Sequence, residues 1–398
     1  MPKDPDPAIA MTPLEFRSSI QLSAVFSLRM FGLFLILPIF SIHAAEYAGG
    51  QDKLLVGLAL GAYGLTQAIM QLPLGIASDR WGRKIVIVSG LGVFVLGSVI
   101  AALSTTIGWI IVGRALQGAG AISAAVTALA ADLTRPVHRT KVMAMIGSSI
   151  GLVFALSMVC APILYQWIGL PGLFWMTAIL ALGAMGVVWF SIPEAPLQVQ
   201  ERGIKWHAVL HNRQLMGLNL SVFALHLIQM TMWVVVPLLL QSAGMLTPQQ
   251  WQVYLPAVLV SFAVMVPAII IAEKRGKMKQ VFRLSIVSLM LVQLGLYGFS
   301  ASAWTIGIVL TLFFIAFNIL EAILPSWISK IAPAELRGSA LGMYNMLQSM
   351  GLFAGAVLGG VIAKQFSLSA VNLTCGIIAI VWLCLTWWIS PPRPDMGD

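Results

Sequence analysis

Apolar runs long enough to cross a bilayer recur along the whole chain, near 18–41, 54–77, 85–104, 108–131, 141–165, 171–191, 216–240, 251–272, 281–301, 304–329, 339–362 and 368–390. Each approaches or exceeds the roughly 20 residues that a helix needs to span about 30 Å of hydrocarbon. Of 398 residues 59% are hydrophobic and 9% charged, whereas a soluble domain carries about 25% charged residues. Such a chain cannot cover a water-facing surface, so an all-α membrane protein of twelve transmembrane helices is predicted, with little room for a soluble domain. The N-terminal MPKDPDPAIAMTPLEFRSS is proline-rich and carries Asp4, Asp6 and Glu15, unlike a cleaved signal peptide, so the first run is expected to remain as a span.

The charges lie mostly between the runs, and they alternate in sign of compartment. With the N-terminus placed in the cytoplasm, 19 of the 23 lysines and arginines fall on that side, Lys53 and Lys364 fall outside, and Arg29 and Arg114 lie within spans. This positive-inside pattern predicts that both termini are cytoplasmic. The net charge of +9 then reports orientation, and no nucleic-acid partner is expected. Cys160, Cys375 and Cys384 sit in apolar runs without a CxxC pair or a His/Cys cluster, and read as packing residues with no metal site.

The longest hydrophilic stretch, about 192–215, contains Glu194, Glu201, Arg202, Lys205 and Arg213 and divides the spans six and six. A repeat supports the division. GIASDRWGRK at 75–84 follows Pro73, and IIAEKRGKMK at 270–279 follows Pro267. At one offset of 194 residues Pro73 matches Pro267, Asp79 matches Glu273, Arg80 matches Lys274, Gly82 matches Gly276 and Arg83 matches Lys277. Each copy falls between the second and third spans of its half. A solvated basic loop explains either copy alone but not the matched pair. The predicted architecture is two pseudo-symmetric six-helix bundles, 1–191 and 216–398, joined by a cytoplasmic linker at 192–215. Repeats of this kind characterise secondary transporters, whose site lies at the repeat interface near the midplane.

GIASDRWGRK resembles the signature loop of the major facilitator superfamily, and Arg114 with QGAGA at 117–121 is similar to the fourth-span motif of its drug:proton antiporter branch. FSLRMFGLFLILP at 26–38, GAYGLTQA at 61–68 and FNILEAILPSWISK at 317–330 resemble the bacterial inner-membrane YajR-type transporters, and the likeness runs over all twelve spans. There are two departures. Eight residues follow the last span, so the soluble C-terminal domain of some YajR-type members is not expected. In the fifth span Ala161-Pro162 stands where antiporters carry glycine-proline, and Leu164-Tyr165 replaces the usual glycine pair, which weakens antiport against symport.

A charge buried in a span is costly and is a functional candidate by default. Arg29 and His226 lie about ten residues into the first and seventh spans, Arg114 in the outer half of the fourth, and Glu321 in the inner half of the tenth. A carboxylate in a low-dielectric cavity can load and release protons near neutrality, which makes Glu321 the best proton carrier; the alternative is a fixed ion pair joining two spans. Histidine titrates over the same range, so His226 is a second candidate, with a neutral packing role as the plain alternative. Arg29 cannot deprotonate and suits holding a counter-ion, or it is satisfied by carbonyls and an acid. Arg114 and Gln117 share a helix face at i, i+3, and the resemblance implies that this face lines the cavity and takes part in proton transfer. Phe34, Met230 and Trp233 with Gln117 would line an adaptable cavity for lipophilic ligands, although most such residues face core or lipid. Gly351, Gly355 and Gly359, and Gly147, Gly151 and Ala155, form small-residue ladders for close helix approach.

The resemblance also implies a latch in the loop residues Gly75, Asp79, Arg80, Gly82 and Arg83. Asp79 would bond to the positive N-terminus of the eleventh span near Gly338, and Arg83 would pair with Asp132 in a relay disturbed by protonation. Glu273, with Lys277, would do the same against the start of the fifth span near Arg139. The expected function is proton-coupled export of small amphipathic molecules by a monomer in the lipid bilayer, driven by the proton gradient without a cofactor. A proton symporter or facilitator for uptake is the alternative. A lipid-modifying enzyme would need a cluster at one depth, for which Arg29, His226 and Glu321 are too distributed, and a nontransporting sensor would need an output domain.

Overall fold

The structure is a computed structural model that describes residues 11–194, 206–298, 302–333 and 335–390. The first to fourth spans are Pro13–His43, Lys53–Trp81, Arg83–Leu103 and Ile107–Asp132. The seventh to twelfth are Arg213–Ser242, Trp251–Lys274, Met278–Gly298, Ala303–Ile331, Arg337–Gln365 and Leu368–Leu385. Side-chain caps fix several starts: Asp52, Thr106, Asn212, Ser302 and Ser367 each accept an amide hydrogen bond, and Thr12 with Glu15 forms a capping box.

Two spans depart from simple helices. Arg139–Ser191 runs as one 53-residue stretch, about 80 Å at 1.5 Å per residue, far more than a bilayer needs. It breaks at Gly169, whose φ of 62° favours glycine, two residues before Pro171. Tyr165 bonds to His43 and Glu46 beyond the end of the first span, while Ile192 bonds to Lys84 near the start of the third, so the chain turns back here and makes the fifth and sixth spans. The fourth span is interrupted between Ala119 and Ser123, where Gly120 takes ψ of 37°.

Spans one to six pack mainly among themselves, as do spans seven to twelve. The expected linker falls largely outside the described residues; its described end carries a short helix, Trp206–His211, before Asn212 caps the seventh span. The repeat shows in the backbone as well: Gly82 and Gly276, matched in sequence, both take positive φ, 98° and 63°. Glycine adopts such a φ at no steric cost.

The halves meet tightly on the face opposite the N-terminus, called here the far face. A Cβ on Gly57 would lie 2.3 Å from the Ala356 carbonyl oxygen, and one on Gly360 would lie 2.5 Å from that of Lys53. Across the same seam Lys364 binds Asp52 at 2.6 Å and Lys53 donates to the Ala363 carbonyl. On the N-terminal face, Cβ atoms at Gly147, Gly338 and Gly342 would meet none of the described residues within 4 Å. The ladder on the eleventh span packs on the seventh, with Gly355 2.2 Å from the Leu227 oxygen by the same measure, whereas Gly147 on the fifth meets no described residue.

Candidate functional site

The C-terminal half brings together three polar side chains from three spans. His226 of the seventh lies 3.5 Å from Glu321 of the tenth, and Gln348 of the eleventh bridges them, its Nε2 2.8 Å from His226 Nε2 and 3.2 Å from Glu321 Oε1. His226 Nδ1 lies 3.0 Å from the Val222 carbonyl, to which it can only donate. The neutral tautomer with its proton on Nδ1 therefore fits, leaving Nε2 to accept from Gln348. Glu321 Oε2 makes no hydrogen bond and faces His226. Its side chain is 36% exposed as a whole while His226 is 5% exposed, and the Oε2 that faces His226 is itself buried. The two residues are not distributed along the bilayer as their sequence positions suggest; 95 positions apart, they share one depth. Gln348 was not among the expected site residues, and a glutamine in an apolar span is the signal that points to it.

Next to this cluster an aromatic group joins the halves. Phe34 stands edge-on to Phe154 at 5.2 Å, and Phe154 contacts Trp233 and Phe314 at 6.0 and 5.9 Å. Ser41 donates to the Trp233 carbonyl across the halves. Phe317 sits against His226 at 5.7 Å. Of the expected cavity residues Phe34 and Trp233 belong to this group and Met230 is buried beside them, but Gln117 does not: it is buried inside the N-terminal half, between Arg114 and Ser98.

In that half, Arg29 donates to the Tyr63 hydroxyl, and the Arg29 and Arg114 guanidinium carbons stand 5.8 and 5.2 Å from the Tyr63 ring centroid. Arg114 also donates to Gln117 at 2.9 Å and to the Ala59 carbonyl. Tyr63, within GAYGLTQA, was not singled out from sequence, since a tyrosine in a span carries no depth or facing signal.

The latch residues are placed as follows. Arg83 pairs with Asp132 at 3.0 Å and also with Asp79 one turn back. In this conformation the recorded partner of Asp79 is thus Arg83 and not the start of the eleventh span near Gly338. Glu273 pairs with Lys330 at 3.7 Å within its own half, and Arg139 donates to the Ala131 and Thr134 carbonyls. In both cases the acid is held by a base of its own half. A Cβ on Gly75 would meet Ala124 at an ordinary 3.7 Å. Arg80 is exposed, and the Lys277 amide closes its own turn onto Ala272.

Residues 22–356 and 279–398 match the family profile of the Major Facilitator Superfamily. The chain is 43% identical over 387 residues to the inner membrane transport protein YajR of Escherichia coli (strain K12), covering 96% of this chain and 85% of that one. The chain belongs to the major facilitator superfamily. It is an inner-membrane transporter and not an enzyme. It is also 25% identical over 347 residues to the multidrug resistance protein MdtH of Proteus mirabilis (strain HI4320), covering 83% of this chain and 82% of that one. The crystal structure of the nucleoside transporter NupG superposes with a TM-score of 0.73 at 15% identity, over 95% of this chain and all of that one, which speaks for the fold.

The far-face seam is expected to respond to pH through Asp52. The hydrogen bond from Lys364 holds the Asp52 carboxyl below its ordinary value of 3.8. A lowered carboxyl stabilises the paired, closed state above that ordinary value, and the contribution is lost as pH falls through the lowered one. Acidifying the far face below about 4 is therefore expected to speed labelling of a cysteine introduced at Ala363, which is buried in the seam. Asp52→Asn should label fast at every pH, and a rate in the parent that ignores pH would remove this role.

Proposed function

We propose that the transporter exports small amphipathic molecules against an inward flow of protons, by alternating access. The His226–Gln348–Glu321 cluster carries this reading: on a half-exposed side chain, a carboxylate with one buried oxygen that no described residue bonds faces an imidazole that donates from Nδ1 to a backbone carbonyl. A proton arriving on Glu321 removes its charge, and one arriving on His226 Nε2 requires the Gln348 amide to turn its oxygen toward the ring. Either event alters how the seventh, tenth and eleventh spans hold one another, which is the coupling alternating access needs. The distribution of bases supports a cytoplasmic N-terminal face. On that reading the present conformation, with its far face sealed and no described residue against Gly338 and Gly342, is inward-facing. The aromatic group between the halves and the likeness to a multidrug resistance protein support an apolar substrate.

Uptake by proton symport is the second reading, favoured by Leu164-Tyr165 in the fifth span, where Tyr165 binds His43 and Glu46 instead of offering a small face. Flux in proteoliposomes with and without an imposed pH gradient tests both. Export driven by an inwardly directed proton gradient supports the first reading, accumulation with the protons supports the second, and indifference to the gradient rejects both. Asp79→Asn is expected to abolish transport with insertion intact, because the opposite, inward-closed state needs the acid at the start of the eleventh span. Normal flux in that variant would remove the latch.

A further inference from the structure

Arg29 and Arg114 are 0% and 2% exposed, and among the described residues no carboxylate lies within ion-pair distance of either. Two buried guanidinium charges share one tyrosine. Arg29 is the less satisfied of the two. It gives one bond to Tyr63 through Nη2, while Nε and Nη1 have no partner among the described residues, so four of its five N–H donors are unused. Phe94 lies 5.5 Å from the same guanidinium and Phe26 is buried nearby in the same core. Quadrupoles of the rings offset only part of the cost of taking a guanidinium out of water. The arrangement is short of one negative charge.

A second observation points to the same place. The fourth span breaks at Gly120–Ile122, six to eight residues beyond Arg114, and the preceding turn lies directly on the second span: a Cβ on Gly118 would come 2.1 Å from the Tyr63 carbonyl oxygen. Interrupted spans in transporters mark sites where ligand and backbone meet. Arg29 lies 16 residues from the start of its helix, about 24 Å along the axis, so a lipid headgroup does not reach it.

We propose that Arg29, with Tyr63 and Arg114, binds the anionic group of the transported solute, a carboxylate carried on an apolar or aromatic body that the Phe26 and Phe94 rings accommodate. This inference rests on the transport reading above and narrows its substrate class. The site is occluded in the present conformation, so binding accompanies a loosening of the second and fourth spans at the break.

The test uses the purified full chain in neutral-lipid nanodiscs, with benzoate as probe and benzamide as its uncharged match, read as a saturable rise in melting temperature. Benzoate is expected to protect and benzamide not. Arg29→Gln should weaken benzoate at least about tenfold, as loss of a charge-assisted bond does. Arg29→Lys should recover part of that loss, and Tyr63→Phe, which removes a hydroxyl that accepts from Arg29 and can donate to the carboxylate, should also weaken benzoate binding. Equal protection by benzamide, or undiminished benzoate binding in Arg29→Gln, overturns the site. Should Arg29→Gln not fold, the benzoate against benzamide comparison in the parent and the Arg29→Lys result decide it. Proton uptake that depends on Glu321 is read separately; if it persists without discrimination between the two probes, the anion site falls and the transport reading stands.

Discussion

Glu321→Gln is expected to leave the transporter inserted and folded while solute flux loses all dependence on an imposed proton gradient, falling to the level of empty liposomes. The amide has the shape of the carboxylate and its oxygen can still accept the 3.2 Å bond from Gln348, so the packing of the tenth span on the eleventh survives. What disappears is the charge and the oxygen that faces His226. The bare ion-pair role makes the opposite forecast. If Glu321 served only to hold the spans, the neutral variant would lower the melting temperature and leave coupled flux in the folded fraction unchanged. Proton uptake measured alongside flux, both normalised to folded protein, separates the two. Coupled flux at parental level would reject Glu321 as the carrier.

The second large effect is expected at Gly57. A valine there would place its Cβ 2.3 Å from the Ala356 carbonyl oxygen, a backbone atom that cannot swing aside as a side chain would. Overpacking of this kind costs about 1–3 kcal/mol. Because the contact joins the two halves, the cost falls on the far-closed state alone, and in a far-open state the helices have parted. At about 1.4 kcal/mol per tenfold, Gly57→Val should move the population toward the far-open state by about ten- to a hundredfold. A cysteine at Ala363 should then label faster, and transport should fail because the cycle stalls. Gly355→Val is the control: its clash, 2.2 Å from the Leu227 oxygen, lies within one half and should lower thermal stability instead of shifting accessibility. Unchanged labelling in Gly57→Val would mean that this seam does not open in the cycle.

Much of the fold was legible in the chain because hydrocarbon thickness sets a length and the scarcity of charge makes each run visible. The repeat was legible for a similar reason: Gly82 and Gly276 must both take positive φ, so the turn keeps its glycine. The site was legible in part. Arg29, Arg114, His226 and Glu321 stood out because charge in a span is rare, but which of them meet did not. In a soluble helix the polar face gives the core-facing direction, whereas here lipid is as apolar as the interior and that signal is lost. Leu152 and Leu225 are the same residue in similar runs, yet one is 70% exposed and the other fully buried.

The sequence by itself determined the number of spans, the division into related halves and the short roster of charges able to carry function, since each follows from the cost of polar groups in hydrocarbon. Tertiary structure alone decided that His226 and Glu321 share one bridged site through Gln348, and that Arg29 and Arg114 flank Tyr63 with no acid among the described residues paired to either. It also decided that Asp79 and Glu273 are held within their own halves. Those outcomes depend on how each helix is rotated about its axis and on which face of the protein is closed. Close backbone contacts at glycines and single hydrogen bonds set both, and neither leaves a mark on hydropathy.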